Sequence, residues 1–346
     1  MPTVLAGLAA LPAGRFQLIV SPLVELGSAL HVLAGPEHHG RARWAAEVRA
    51  RMSPDLAERT RAWAWATQAI RATPFVRAGT PAAGVLAEQV EWLRRVPARR
   101  LARDLLRPVS GVDDPAVARR WARSRGAAVG ALVDDLIDRP GEAAARFLDF
   151  LRDAGREWFD HEWRAARPPL VARARQIEDT LHRLGPAAAL ASLGPAVTPR
   201  GDGAVIAKVL SKRHDVGRRG LAVAPSTFVH PHVYVADVPG EPVLLIHGIA
   251  PDPGPVPPAA DVLDRLAVLG NAGRLEVCRA IAGEPRTAGE IAMLWRMDPT
   301  QVTRHLRALA AAGLVRTARQ GRYVRYVVDL DVVEALGTDL ARLLLR

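Results

Sequence analysis

The sequence contains few cysteines and few lysines. Cys278 is the one cysteine among 346 residues, which excludes an internal disulfide bond and a multi-cysteine zinc site. Only Lys208 and Lys212 are lysines, so arginine supplies nearly all of the positive charge behind the net charge of +11. Because GC-rich codon usage also raises the arginine content, the composition by itself gives only weak support for a polyanionic partner.

Long apolar runs are also missing. No stretch reaches the length of a transmembrane helix, and the N-terminal residues MPTVLAGLAALPAGRFQLIV lack the basic start of a signal peptide. The sequence has no glycine-rich phosphate loop with its lysine, no dinucleotide fingerprint and no G-x-S-x-G turn around a serine nucleophile. We therefore expect a cytoplasmic protein with no membrane partner, no cofactor and no enzymatic activity.

The first 250 residues predict a helical domain with a small β element. Apolar residues recur at helical spacing over much of residues 1–200, which we interpret as a helical regulatory or sensor domain. Ser53, followed by proline, predicts a helix start, and Gly185, also followed by proline, predicts a helix stop. Residues 201–250 are rich in β-branched and aromatic residues, which predicts two to four short strands attached to the helices.

A proline-rich stretch separates this part from the C-terminal part. Residues 251–260 predict a linker, because a segment with so many prolines cannot continue a helix or a central strand. Residues 261–346 predict a winged helix-turn-helix domain. The expected fold is therefore mainly α, in the α+β class, with an N-terminal helical domain and a C-terminal winged helix.

Two helices joined by a short turn are predicted in the middle of the C-terminal domain. Thr287, with a glutamate three residues later, has the pattern of a capping box at the start of the first helix. Ile291, Leu294 and Trp295 predict one buried face on that helix. The second helix is predicted to begin at Asp298, an N-cap residue followed by proline at the first helical position. This spacing is typical of a helix-turn-helix.

The second of these helices has one apolar face and one polar face. At about 100° per residue, Val302, Leu306 and Leu309 lie on the apolar face. Gly313 predicts a left-handed end of the helix, after which Leu314 can contact Leu309. The side chains predicted to face away from the core are Thr300, Gln301, Thr303, Arg304 and Arg307, with His305 at the edge of the apolar face.

A glycine-tipped hairpin follows this helix and carries further arginines. Between Asp298 and Asp329 the chain has six arginines and no acidic residue. A carboxylate on such a surface would repel DNA, whereas each arginine can displace a condensed cation from the phosphate backbone. We therefore interpret the helix as the element that reads the major groove and the hairpin as a wing near the minor groove of double-stranded DNA. The residues expected to contact DNA are Thr300, Gln301, Thr303, Arg304, His305 and Arg307 of the helix and Arg319, Gln320, Arg322, Tyr323 and Arg325 of the wing.

The same residues have a less specific interpretation. Caps and core positions would look alike in any helical hairpin, and arginines on a helix often form only a solvated face. The alternative is a winged helix that serves as a dimerisation or protein-interaction scaffold without specific DNA binding. The order of helix, tight turn, helix, glycine and basic hairpin favours DNA binding.

The stretch PTQVTRHLRALAAAGLVRTARQGRYVRYVV resembles the recognition helix and wing of ArsR/SmtB-type winged-helix regulators. The residues in matching positions are Thr303, His305, Leu306, Ala312, Gly313, Leu314, Val315, Gly321 and Tyr326. The N-terminal part resembles the uncharacterised helical extension found ahead of such domains in some bacterial regulators. The resemblance implies a homodimer on an inverted-repeat operator, and we expect a repressor.

The resemblance also implies that the helices at the two ends of the winged domain form the dimer contact. The last helix carries an apolar stripe at helical spacing, which could instead pack within its own domain. This stripe consists of Val332, Val333, Leu336, Leu340, Leu343 and Leu344.

The metal sites of such regulators do not carry over to this sequence. The helix TAGEIAMLWRM has no cysteine pair, and the last helix has no histidine. Two histidine pairs, His38 with His39 and His230 with His232, lack an evident third ligand, so we predict no metal site. Cys278 is expected to be a core residue, with a lone thiol switch as the alternative.

The helical domain is expected to be the sensor. We predict that a cavity between its helices and the strands of residues 203–250 binds a small organic effector. A plain surface for another protein is the alternative.

Overall fold

A computed structural model describes residues 3–12, 14–36, 39, 41–206, 212–230, 232–249, 258–320 and 323–344. The contacts divide the chain into two units, Met1–Pro251 and Asp252–Arg346. Most of the predicted linker lies outside the described residues. Its predicted end at residue 260 is too late, because a helix begins at Ala259.

Helices make up most of the first unit, and several begin at a serine or aspartate cap. Ser21 and Ser53 each accept a hydrogen bond from the backbone N–H three residues later, and a proline follows each serine. The helix start predicted at Ser53 is therefore present. The helices are α1 (Pro22–Ala34), α2 (Ala42–Arg51), α3 (Pro54–Trp63), α4 (Leu86–Arg94), α5 (Ala98–Leu105), α6 (Pro115–Arg123), α7 (Ala127–Asp138), α8 (Pro140–Ala154), α9 (Asp160–Ala191) and α10 (Val216–Arg219).

The helix stop predicted at Gly185 is present as a break within α9. Gly185 has a φ of 82°, a left-handed conformation that glycine adopts without strain. Helical structure then resumes and continues to Ala191. Proline at the following position is compatible with this restart, because a proline at the first position of a helix gives up no internal hydrogen bond.

Two four-stranded sheets lie within the described residues of the first unit. Their strand orders are β3-β4-β1-β5 and β2-β6-β8-β7. In the second sheet β2, β6 and β8 run parallel to one another, and β7 is antiparallel to β8. The strands are β1 (Thr3–Ala6), β2 (Phe16–Leu18), β3 (Val197–Arg200), β4 (Gly203–Ile206), β5 (Arg213–Asp215), β6 (Leu221–Ser226), β7 (Val233–Ala236) and β8 (Val243–Gly248).

The prediction of two to four strands within residues 201–250 is wrong in number. The described part of that range holds five strands, β4 to β8, of which β4 and β5 pair with β1 and β6 pairs with β2 near the N-terminus. β1 and β2 are only four and three residues long. Segments this short show too little alternation to be distinguished from loops by their sequence.

The second sheet has an apolar cluster on each face. Along β8, Val243 and Leu245 contribute to a cluster with Ile177 of α9, while Leu244 and Ile246 contribute to the opposite one. Because both faces are covered, β6 and β8 read as continuous apolar runs rather than as alternating patterns. A third cluster joins α1 to α9 and contains most of the tryptophans of this unit.

Within its described residues, 258–320 and 323–344, the second unit contains five helices and one hairpin. Its apolar core includes Val277, Ile281, Ile291, Leu306 and Leu314, each with no more than 1 % of its surface exposed. Within the described ranges of both units, every helix is too short or too polar to cross a bilayer. The elements of the second unit are α11 (Ala259–Leu269), α12 (Ala272–Ala282), α13 (Ala288–Trp295), α14 (Pro299–Ala311), β9 (Val315–Gln320), β10 (Tyr323–Val328) and α15 (Leu330–Leu344).

Candidate nucleic-acid interface

Helices α13 and α14 begin at the caps that the sequence predicts. The Thr287 hydroxyl accepts from the Glu290 backbone N–H at 3.2 Å, and the Glu290 carboxylate accepts from the Thr287 backbone N–H at 2.7 Å. Asp298 caps α14 by accepting from the Gln301 backbone N–H at 2.9 Å. Between the two helices Arg296 adopts a left-handed conformation with a φ of 53°, which turns the chain sharply. The helix-turn-helix is therefore present.

The predicted buried face of α13 is only partly correct. Ile291 is buried together with Ala292, but Leu294 and Trp295 are 56 % and 37 % exposed. The reason is that α13 has only eight residues, and both side chains fall in its last turn, outside the core. Trp295 instead packs under the guanidinium of Arg286, whose Cζ lies 4.9 Å from the ring centroid.

The apolar face of α14 is confirmed. Val302, Leu306 and Leu309 are at most 1 % exposed and anchor the helix in the core of the second unit. Gly313 has a φ of 69°, and the Leu314 backbone N–H donates to the Leu309 carbonyl at 2.9 Å. This cap fixes where α14 ends and where the first strand of the wing begins.

The opposite face of α14 is open to solvent. Thr300, Gln301, Arg304 and Arg307 are exposed. Thr303 is half-buried, and its hydroxyl donates to the Pro299 carbonyl at 2.9 Å. That hydroxyl therefore uses its proton within the helix and has only its lone pairs available to an outside donor.

His305 is turned toward α12. It is half-buried, and a Cβ added at Gly273 in the first turn of α12 would lie 2.8 Å from its Nε2. Burial, together with the charges of Arg304 and Arg274, lowers the pKa of His305. The ring is therefore neutral at pH 7 and helps to set the distance between α12 and α14.

The wing is a regular antiparallel hairpin. Tyr323 is opposite Gln320, and Arg319 is opposite Val324. Arg319 and Tyr323 are exposed. Arg322 and the side chain of Gln320 lie outside the described residues. The hairpin is extended by a bridge in which the backbone of Tyr326 exchanges hydrogen bonds of 2.8 and 3.0 Å with that of Arg286.

The arginines of this surface fall into two groups. Arg316 lies 3.2 Å from the Asp329 carboxylate. Arg325 donates to the Pro285 carbonyl at 3.1 Å and lies 3.9 Å from the Glu290 carboxylate. These two side chains are held within the unit.

The second group consists of Arg304, Arg307 and Arg319. These side chains are exposed and form no ion pair within the part of the chain that the structure describes. The expectation of a carboxylate-free surface therefore fits α14 and Arg319. It does not fit Arg325, because Glu290 of α13, which precedes the basic stretch in the sequence, reaches it.

The apolar stripe of α15 is used partly within this chain. Leu336 is only 4 % exposed, and Val332 and Val333 pack against the core of the second unit. On α11, which contacts α15, Leu263 is 57 % exposed. The apolar surface open to a second copy therefore includes α11.

The predicted histidine pairs lie in the first unit. His38 lies outside the described residues. His39 has its ring centroid 5.2 Å from that of His31 and 5.3 Å from that of His232, with the rings edge to face. Among the described residues, no group of three or more potential ligands is arranged to hold a metal ion.

Cys278 lies in α12 and is 8 % exposed. Burial raises the pKa of its thiol, so the unreactive protonated form prevails at neutral pH. This environment is that of a core residue, as the sequence predicts.

Residues 3–252 match a family of unknown function (DUF5937). Residues 269–318 match a helix-turn-helix domain. No curated protein matches the chain.

Several solved structures resemble the C-terminal part. An ArsR-like transcriptional regulator from Rhodococcus sp. RHA1 is 25 % identical, covers 24 % of this chain and 79 % of its own, and gives a TM-score of 0.24. A homodimeric winged helix-turn-helix DNA-binding domain from Mycobacterium bovis is 28 % identical, covers 26 % of this chain and 87 % of its own, and gives a TM-score of 0.21. NolR from Sinorhizobium fredii is 24 % identical, covers 25 % of this chain and 85 % of its own, and gives a TM-score of 0.22.

Proposed function

We propose that this chain, which belongs to the family of unknown function DUF5937 and ends in an ArsR-type winged helix, is a sequence-specific DNA-binding transcriptional regulator. The observation that carries the proposal is the exposed face of α14. Arg304 and Arg307 extend from it, and no carboxylate among the described residues pairs with either. By comparison, the exposed Arg279 on α12 of the same unit pairs with the Glu276 carboxylate at 2.7 Å.

Exposed and unpaired guanidinium groups on such a helix suit DNA in two ways. An arginine can donate two hydrogen bonds to the O6 and N7 atoms of guanine in the major groove, which distinguishes that base from the others. An arginine against a phosphate adds affinity without selecting a sequence. We assign the first role to Arg304 and Arg307 and the second to Arg319, with Thr300, Gln301 and Thr303 completing the surface that faces the bases.

We further propose that the protein acts as a homodimer. The exposed Leu263 and the less buried part of the α15 stripe supply apolar surface for a second copy. Two-fold symmetry would place paired recognition helices about 34–36 Å apart, one turn of B-DNA, so the operator would be an inverted repeat. The scaffold alternative uses the same contact but predicts no binding to a particular DNA sequence.

In our proposal the first unit senses a small organic effector and the protein represses transcription until that effector binds. A ligand shifts an equilibrium only through its different affinities for two states. The effector must therefore bind the DNA-free form more tightly than the DNA-bound form. By linkage, operator DNA must weaken effector binding by the same factor.

The direct test is footprinting with the full-length protein on the DNA upstream of its own coding sequence, at about 50 and 200 mM salt. We expect protection of an inverted repeat, with affinity falling steeply as the salt concentration rises. Equal binding to the upstream DNA and to random DNA of the same length would contradict sequence-specific regulation. Absence of any salt-dependent binding would favour the scaffold alternative.

Replacing Arg319 with alanine is expected to weaken binding to operator and random DNA by similar factors. One phosphate contact would be lost, so the slope of log K against log salt should decrease by about one unit. Gel shifts at four salt concentrations measure this slope. The matched control is Arg279→Ala on α12, whose guanidinium pairs with Glu276 at 2.7 Å and which should leave the slope unchanged. A loss confined to the operator would contradict the assignment of Arg319 to the backbone.

A further inference from the structure

The first unit contains a cavity at the end of its second sheet. Its volume is about 500 Å³, which is within the range typical of small-molecule sites. Its wall is formed by α9, by the loop that follows α9, and by the ends of β7 and β8 where Val233 pairs with His247. The cavity therefore continues the apolar cluster between α9 and the sheet, at a point where the packing is incomplete.

His247 is the most buried polar side chain of this wall. It is 1 % exposed, and neither ring nitrogen has a side-chain hydrogen-bond partner among the described residues. Because side chains alternate along a strand, His247 lies on the same face as Val243 and Leu245, toward α9 and the cavity. The Gly248 backbone acts on the ring and can satisfy one nitrogen, which leaves the other without a partner among the described residues. A buried ring nitrogen without a partner destabilises the fold unless a group within the cavity bonds to it.

Arg173 on α9 is the second polar group of the wall. It is half-buried, and its guanidinium contacts only neutral acceptors, the side-chain oxygen of Gln176 at 3.2 Å and the carbonyl of Ser192. No carboxylate among the described residues pairs with it, and none lines the cavity. By contrast, Arg77 of the same unit lies between the carboxylates of Asp104 and Glu241.

A partly buried cation without a counter-charge is unfavourable, and an anionic ligand would remove that cost. Burial lowers the pKa of both His230 and His247, so these rings stay neutral at pH 7 and bind as hydrogen-bond partners. Among the described residues of the wall, Arg173 is then the one permanently charged side chain, and a single negative charge balances it. The rest of the wall is largely apolar and includes Leu193, Pro195 and Ile249.

We propose that this cavity binds a small organic monocarboxylate, with the carboxylate against Arg173 and His247 and the apolar part against Leu193, Pro195 and Ile249. The proposed binding site is inferred from the cavity and its lining residues and does not depend on the proposed function. Its role as the effector site rests on the proposed function.

Calorimetric titration of the full-length protein tests the site without any substitution. The probes are benzoate and octanoate, their neutral amides benzamide and octanamide, and inorganic phosphate. We expect at least one carboxylate to bind with one site per chain, its amide to bind at least about ten-fold more weakly, and phosphate not to bind. Binding of neither carboxylate, or equal binding of carboxylate and amide, would overturn the proposal.

Two substitutions locate the binding. Arg173→Gln is expected to weaken the carboxylate by at least about ten-fold, because it removes the charge and keeps a polar side chain of similar length. Arg175→Gln, at an exposed position on the same helix, is the matched control and should leave the affinity within about two-fold. His247→Leu should abolish binding while raising the melting temperature of the ligand-free protein by a few degrees. Equal affinity in Arg173→Gln and Arg175→Gln would show that binding occurs elsewhere.

The gel shift repeated with the bound carboxylate separates this inference from the proposed function. Carboxylate binding with unchanged DNA binding leaves the site standing and contradicts the effector role. DNA binding in a protein that takes up no carboxylate contradicts the site alone. Carboxylate binding in a protein that binds no DNA contradicts the proposed regulator and supports the site.

Discussion

Arg304→Ala is expected to reduce the affinity for the operator by about ten- to a hundred-fold, since a good base contact contributes about 1–3 kcal/mol of discrimination. Affinity for random DNA should fall by no more than about three-fold, because only one charge is lost. Arg304 lies on the exposed face of α14, opposite the buried Val302, Leu306 and Leu309. Its removal therefore leaves the core of the second unit intact.

Competition gel shifts with operator and random DNA at fixed salt measure both affinities. Arg307→Ala, on the same face one turn later, is expected to behave similarly at a different base pair. Arg279→Ala, whose side chain is paired with Glu276, controls for the loss of one positive charge elsewhere in the unit. If Arg304→Ala lowered both affinities by the same factor, Arg304 would be a phosphate contact and not a base contact.

Much of the second unit can be predicted from the sequence because its signals are local. The caps at Thr287 and Asp298 and the left-handed Gly313 each depend on residues within four positions along the chain. The periodicity of α14 then fixes which side chains are exposed. These local features determine which side chains form the candidate DNA surface, so most of that surface can be predicted from the sequence.

The remaining features depend on contacts between distant residues. Arg325 is held by Glu290 and Pro285, which are at least 35 positions away in the sequence. The basic stretch therefore includes an arginine that is already bonded within the protein, although the sequence of the stretch does not show this. Helical spacing placed Leu294 in the core, but the short α13 leaves it exposed. Periodicity gives the direction of a side chain and not whether another element covers it.

The first unit shows the same limit more strongly. β2 pairs in parallel with β6, more than 200 positions later, and the cavity wall joins α9 to the ends of β7 and β8. His230 and His232 line the same cavity as Arg173 and His247, and no local pattern in the sequence singles out the latter two. A cavity between the helices and the strands of residues 203–250 could be anticipated from the sequence, but its polar groups could not.

Acidification from pH 6.5 to 4 is expected to destabilise the first unit by about 3 kcal/mol through His247 alone. Burial and the nearby Arg173 lower the pKa of His247 from 6.5 to about 4 in the folded protein. Each unit of difference between the folded and unfolded pKa corresponds to about 1.4 kcal/mol. The stabilisation is complete above pH 6.5, where both states are neutral, and is lost as the pH falls toward 4, because the unfolded chain takes up the proton first.

Urea unfolding of the full-length protein and of His247→Leu, from pH 7.5 to 4, measures this contribution. Tryptophan fluorescence reports the first unit, which holds seven of the eight tryptophans. Other groups also titrate in this range, including His230 in the same wall, but they are common to both proteins and cancel in the difference. Between pH 7.5 and 4, His247→Leu should therefore lose about 3 kcal/mol less unfolding free energy than the unsubstituted protein does. His182→Leu, at an exposed position on α9, should show the same pH dependence as the unsubstituted protein.

Equal pH dependence in the unsubstituted protein and in His247→Leu would mean that the imidazole is hydrated in solution, since only a solvated ring keeps its ordinary pKa after folding. The near-complete burial of the ring argues against such hydration. A carboxylate bound beside Arg173 would favour the protonated ring and raise its pKa. Benzoate or octanoate, whichever binds, should stabilise the unsubstituted protein at pH 7.5 and leave the stability of His247→Leu unchanged, and this difference should shrink toward pH 4, where the ligand's own carboxylate takes up a proton.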